Sequence, residues 1–215
     1  MIKRAIEERI LNALAKKKVV TIMGPRQVGK STLAGAMIPK DAKVLEINGD
    51  NTDVQTMFVD VDESKMKVLI GNNNFLLVDE AQKIGNVGNM LKIVAEKFND
   101  IKVIVTGSSA FKLAAAVNES LTGRKREFRL YPLSFKEMAD DTSALEESRM
   151  IDHRLVYGYY PEVVTSPGDE KEVLKELIDS YLYKDVMEEN DIAKPDKLVK
   201  LVQALAFQIG STVSA

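Results

Sequence analysis

The chain has 215 residues, 45% of them hydrophobic and 29% charged, with only 6 prolines. That balance fits one substantial domain, or a domain with a small appendage, and excludes disordered, collagen-like and coiled-coil-only classes. Thirty basic against 32 acidic residues leave a formal charge of −2, so any contact with nucleic acid or anionic lipid has to be local; zero cysteines and one histidine rule out disulfides, thiolate chemistry and a histidine-rich metal centre, and fit a reducing, cytoplasmic home.

Lys3 and Arg4 form a small basic cluster at the start, but Glu7, Glu8 and Arg9 interrupt what a signal peptide would keep apolar. Ile2, Ala5, Ile6, Ile10, Ala13 and Leu14 recur at three- and four-residue spacing, which predicts an amphipathic helix packed on the body of the protein. No apolar run approaches the roughly 20 residues needed to span a bilayer, and no membrane partner is expected.

A β-rich run, Lys18 to Met23, ends at Gly24, and a helical segment follows from near Lys30. Between them, Gly24-Pro25-Arg26-Gln27-Val28-Gly29-Lys30-Ser31 fits G-x-x-x-x-G-K-[ST] in full, in the strand-loop-helix setting that this pattern requires. Main-chain N–H groups of such a loop curl around phosphate oxygens and the helix start adds its positive end. Lys30 then reaches the β- and γ-phosphates, and Ser31 offers a hydroxyl to Mg²⁺. The nucleotide-binding set is Gly24, Pro25, Gln27, Val28, Gly29, Lys30, Ser31 and Thr32, with Arg26 and Gln27 at a solvated tip.

Lys43 to Ile47 reads as a second strand, and residues 52–69 as helical cover. Phe75 to Val78 is a third strand, closed by Asp79 and Glu80, and makes a Walker B candidate. At the carboxyl end of a buried strand, Asp79 can orient the metal's shell, while Glu80 polarises a water for in-line attack on the γ-phosphorus. A helical segment from Val87 to Phe98 precedes a fourth strand, Lys102 to Thr106, which ends in Gly107-Ser108-Ser109. Ser108 is either a sensor of the γ-phosphate or, with Ser109, a cap for a helix starting near Phe111, and one serine can do each. Arg124, Lys125, Arg126 and Arg129 lie at and within a fifth strand, Arg126 to Tyr131. Most of that charge reads as a solvated face; Arg124, on a loop after Gly123, is the candidate arginine finger acting across a subunit contact.

Apolar runs on three strands, with helices between strands, predict a parallel α/β sandwich. After Ser134 the strand signal stops. Helical stripes run around 144–156, 170–186 and 196–208, broken at Gly158-Tyr159-Tyr160-Pro161 and Ser166-Pro167-Gly168. His153 and the tyrosines near Pro161 read as packing or surface residues. Gly210 to Ala215 looks like a helix stop followed by a start signal with no element after it, as in a chain cut before its natural end. The expected division is a core over 1–132, a helical subdomain over 133–195, and a further helix over 196–215.

The chain resembles the bacterial and archaeal AAA+-type ATPases that carry a C-terminal domain of unknown function. The likeness runs through residues 24–33, 77–83, 106–109 and 120–124, then Leu130-Tyr131-Pro132-Leu133-Ser134-Phe135-Lys136-Glu137 and Gly158-Tyr159-Tyr160-Pro161-Glu162-Val163. It implies a five-stranded P-loop NTPase core of the ASCE/AAA type, with the sensor strand between the phosphate-loop and Walker B strands. It also implies ATP as the nucleotide and a winged-helix segment after the core, of which residues 198–210 would be the first helix.

The function expected is ATP hydrolysis with ATP and Mg²⁺, coupled to movement of the C-terminal region. Lys30, Glu80, Ser108 and Arg124 are its catalytic residues, and Ser31 and Asp79 its metal ligands. The alternatives are a nucleotide-gated binding module with negligible turnover and a small-molecule P-loop kinase; Glu80 stands against the kinase because ATPases keep a water-polarising acid there. Partners are expected as a homo-oligomeric contact through Arg124 and a protein or DNA partner through the C-terminal region.

Overall fold

In the computed structural model, which describes residues 1–108, 121–179 and 195–209, five short strands pair side by side. They are β1 (Val19–Met23), β2 (Val44–Asn48), β3 (Phe75–Asp79), β4 (Lys102–Gly107) and β5 (Lys125–Arg129). Every pairing is parallel and the order is β2-β3-β4-β1-β5, so the strand leading to Ser108 lies between the phosphate-loop strand and the acidic strand. The sheet is the five-stranded parallel α/β sheet that the motifs and strand runs predict.

Alternate residues of each strand point to opposite faces, and both faces are covered. On one face Val19, Met23, Leu76, Val78, Val103 and Val105 pack with helices α4 (Glu63–Ile70) and α5 (Val87–Lys97) through Met66, Ile70, Met90, Leu91 and Val94. On the other, Val20, Ile22, Phe75, Ile104 and Phe128 pack with α1 (Glu7–Ala15) and α2 (Lys30–Ala36) through Ile10, Leu14, Leu33 and Ala34. Burial on both faces is why β1, β3 and β4 read as largely apolar runs.

Two expected helical stretches are each divided. Residues 52–69 form α3 (Thr52–Met57) and α4, because Asp62 caps α4 by accepting a 2.7 Å hydrogen bond from the Lys65 N–H. Residues 144–156 form α7 (Ala144–Arg149) and α8 (Ile151–Tyr157), preceded by α6 (Phe135–Asp141). A capping box starts α6: the Glu137 N–H donates to Ser134 Oγ and the Ser134 N–H to Glu137 Oε2. Pro161, read as a breaker, opens the short helix α9 (Pro161–Thr165), where its missing N–H is no loss.

Residues 1–154 with 159–161 make one compact unit, which holds the sheet, α6 and α7. Residues 155–158 with 162–215 make a second, in which α10 (Glu170–Leu177) and α11 (Pro195–Ala206) lie. The expected helix near Phe111, the cap at Ser109, the stripe beyond Asp179 and the residues after Ile209 fall outside the described residues.

Candidate nucleotide site

The loop between β1 and α2 is held from both ends. The Gly24 N–H donates to the Gly107 carbonyl at 3.3 Å, and a side chain at Gly24 would drive into the Leu130 carbonyl oxygen, so only glycine fits. Gly29 has φ +89° and stands at the N-cap of α2, a backbone conformation that L side chains rarely adopt. Between them Val28 is fully buried among the core residues under α2, while Gln27 carries φ +59° at the exposed tip. Lys30 is also buried, and its Nζ donates to the Pro25 carbonyl at 2.8 Å, which pins the ammonium across the loop. Ser31 and Thr32 stand exposed on the first turn of α2.

Ser31 Oγ donates to Asp79 Oδ1 at 3.1 Å, so the phosphate loop and the acidic strand end meet. Asp79 closes β3, and Glu80 follows it at φ +47°, leading into the 3-10 turn Ala81–Lys83. That reversal turns the two adjacent carboxylates toward different partners. Asp79 accepts from Ser31 and from the Thr106 hydroxyl. Glu80 Oε2 accepts from Gln82 Nε2 at 2.5 Å and from Ser108 Oγ at 3.4 Å, and Gln82 Nε2 also donates to Ser108 Oγ at 2.8 Å. Ser31 and Asp79 offer two hard oxygen donors from neighbouring elements. That donor set fits Mg²⁺, which takes one or two protein oxygens and completes its shell with phosphates and water.

Three residues in or beside this arrangement escaped the reading of the sequence. Thr106 is fully buried in β4; its hydroxyl donates to Asp79 and accepts the Glu80 N–H at 3.3 Å, so it fixes the Asp79 carboxylate and the main chain at Glu80. Gln82 ties Glu80 to Ser108. Arg4, taken from the sequence as part of a terminal charge cluster, is buried behind the loop with its guanidinium 2.9 Å from the Val28 carbonyl. Gln82 and Thr106 lie within the stretches that carry the family likeness and Arg4 lies outside them, but in none of the three does the local sequence state a role, because each acts through a neighbour that only the fold supplies.

Arg124 lies elsewhere. It precedes β5 at the end where the Val19 N–H donates to its carbonyl, whereas the phosphate loop leaves the other end of β1. At about 3.3 Å per residue the five residues of β1 separate the two by roughly 15 Å. Its half-exposed guanidinium pairs with Glu96 Oε1 at 2.5 Å, and that hydrogen bond holds the Glu96 carboxyl below the usual carboxylate range. Arg124 therefore does not reach the loop of its own subunit.

Among the described residues, no helix is long and apolar enough to cross a membrane. Across 208 residues the chain is 27% identical to the protein MJ1544 of Methanocaldococcus jannaschii, covering 88% of this chain and 46% of that protein. A Haemophilus influenzae protein is 28% identical over 145 residues, 65% of this chain and 36% of the other. The Mycobacterium tuberculosis protein Rv2008c is 27% identical over 142 residues, 66% of this chain and 31% of that one. The chain thus spans less than half the length of these curated relatives. Among solved structures, the Walker-type ATPase PABY2304 of Pyrococcus abyssi superposes with a TM-score of 0.56 at 16% identity, over 89% of this chain and 75% of that one, a likeness of fold. Residues 134–215 match a domain of unknown function (DUF8612). Residues 16–139, more than half the chain and all of the loop and strand ends described above, match the AAA domain family, and the chain belongs to that family.

Proposed function

We propose that the chain binds Mg²⁺-ATP and hydrolyses it, and that hydrolysis moves its C-terminal region. The observation that carries this reading is the Ser31 to Asp79 hydrogen bond, which joins a complete phosphate loop to the end of β3 beside a second carboxylate. The main chain of residues 24–29 and the start of α2 receive the phosphates, and Lys30 balances charge on the β- and γ-oxygens. Ser31 and Asp79 would hold the Mg²⁺, which when bound neutralises charge developing on the phosphates. Glu80 orients a water and takes its proton as the water attacks the γ-phosphorus in line. Ser108, bonded to both Glu80 and Gln82, senses the γ-phosphate and reports it to the base. Residues 1–132 carry the ATPase machinery, and the region moved is the part of residues 133–195 and 196–215 that lies beyond α6 and α7. The surroundings are cytoplasmic, and a protein or DNA partner is recognised through that C-terminal region.

Two substitutions test it. Lys30→Ala is expected to weaken ATP binding at least tenfold by calorimetry, and unchanged affinity would overturn the loop assignment. Glu80→Gln is expected to retain ATP while phosphate release slows by at least about a hundredfold; wild-type turnover would remove Glu80 as the base. A second reading, a nucleotide-gated module with negligible turnover, draws on the hydrogen bonds that hold Glu80 to Gln82 and Ser108. ATP affinity without phosphate release from the wild-type chain would favour it.

A further inference from the structure

We propose that Arg4, held by Glu137, is a positioning residue that sets the Val28–Gly29 peptide of the phosphate loop, so that the Gly29 N–H is presented to phosphate. This rests on the nucleotide reading above, and it concerns a residue outside the stretch that matches the AAA domain family.

Arg4 is 8% exposed, and each of its three guanidinium nitrogens has a partner on a different segment. Nε donates to Glu137 Oε1 at 3.1 Å, Nη1 to the Val28 carbonyl at 2.9 Å, and Nη2 to the Tyr131 carbonyl at 2.6 Å. Glu137 is equally buried and its carboxylate is fully engaged: Oε1 also accepts the Ala5 N–H at 2.8 Å, and Oε2 accepts the Ser134 N–H at 2.8 Å and its hydroxyl at 3.1 Å. Burial alone would favour the neutral acid, but these N–H donors and the guanidinium outweigh it and hold the Glu137 carboxyl below its ordinary range. The pair is therefore a charged, fixed strut.

A trans peptide is planar, with its C=O and N–H pointing in opposite directions, and this chain has no cis peptide bond among the described residues. With the Val28 carbonyl drawn back onto Arg4, the N–H of that same peptide, which belongs to Gly29, is turned the other way. Two further constraints act on the same atoms. Gly29 sits at φ +89°, which L side chains rarely adopt, and a Cβ there would stand 3.8 Å from Arg4 Nη1, in van der Waals contact. A cation on the carbonyl also draws electron density from the amide nitrogen, which makes the N–H a stronger donor. Lysine carries the charge but not the planar fork that reaches three acceptors at once.

The experiment uses the full chain with Arg4→Lys and Glu137→Gln, titrated with ATP, ADP and inorganic tripolyphosphate by calorimetry, and the ¹⁵N resonance of the Gly29 amide in nucleotide-free protein. Both variants are expected to bind all three ligands about tenfold more weakly, by a similar factor, and the Gly29 resonance to move in both. Either variant binding tripolyphosphate within twofold of wild type, or a Gly29 resonance that stays in place, overturns the proposal. Loss confined to ATP and ADP also overturns it, since the effect would then lie at the nucleoside. If Arg4→Lys does not fold, the outcome is decided on Glu137→Gln, which keeps side-chain shape and an oxygen for the Ala5 N–H. Wild-type protein that binds none of the three ligands overturns the nucleotide reading itself, and the proposal with it.

Discussion

At the end of β3 the difference between two neighbouring carboxylates is made by hydroxyls and an amide. Asp79 is bonded by Ser31 and Thr106, Glu80 by Gln82 and Ser108, and the Thr106 hydroxyl also takes the Glu80 N–H. Thr106→Val keeps the shape and removes that hydroxyl, leaving a carboxylate and a main-chain donor each short of a partner. A lost bond to a charged group costs about 1.5–3 kcal/mol, and each kcal/mol lowers the melting temperature of a domain this size by about 2–4 °C. Thr106→Val is therefore expected to melt several degrees lower and to lose more in turnover than in ATP affinity; calorimetric melting and phosphate release check it, and two unchanged values would refute it. Glu137 supplies a pH signature. Its folded-state pKa is depressed, so its contribution to stability is full above the ordinary glutamate value, about 4.3, and is lost as pH falls through the lower folded value. Urea midpoints measured downward from pH 5 should fall in wild type and fall less steeply in Glu137→Gln; parallel slopes would count against the depressed carboxyl. The motif residues at this site were legible because the pattern G-x-x-x-x-G-K-[ST] and an apolar run closing in Asp-Glu state their chemistry locally. Thr106, Gln82 and Arg4 were not, since a threonine in a strand or an arginine near a terminus looks the same whether it meets water or a buried carboxylate.

Elements obey the same division between local and non-local causes. The central strands β1, β3 and β4 were readable to within a residue or two because burial on both faces demands a largely apolar run, and the strand-loop-helix order around residue 24 has one familiar geometry. The helices were readable as stripes but not at their ends. Across 52–69 the stripe continues through a gap, and the break is set by the single cap that Asp62 gives to the Lys65 N–H. Ser134 and Glu137 show the same economy at α6, where a capping box starts a helix that hydrophobic spacing alone passes over. If the cap at α4 is what divides that stretch, Asp62→Ala should destabilise the protein by about 1 kcal/mol. ATP affinity should be unchanged, because α4 packs on the sheet face opposite α2. A urea midpoint identical to wild type would show that the cap contributes nothing, and a change in affinity would show that α4 and the loop are coupled.

At the scale of the whole molecule the open matter is whether one chain completes its own site. The phosphate loop with Ser31, and Asp79, Glu80 and Ser108, gather at the carboxyl ends of β1, β3 and β4, but Arg124 sits at the amino end of β5 on Glu96. An arginine there meets a γ-phosphate only when the amino edge of one sheet faces the phosphate loop of the next, a head-to-tail contact that closes into a ring or runs on as a filament. The exposed ion pair to Glu96 is a weak restraint, since such pairs contribute about 0–1 kcal/mol, so a neighbouring phosphate could draw the guanidinium away from it. The arrangement makes a specific demand on mixtures. Arg124→Ala keeps an intact loop but offers no arginine, and Lys30→Ala offers the arginine from a subunit with a failed loop. Each alone should turn over ATP slowly, and an equimolar mixture should recover activity that rises with total protein concentration. Phosphate release measured across mixing ratios and concentrations decides it. A mixture no faster than the sum of its parts, beside an Arg124→Ala protein as active as wild type, would return Arg124 to the role its ion pair already gives it, a charge on the surface of one subunit.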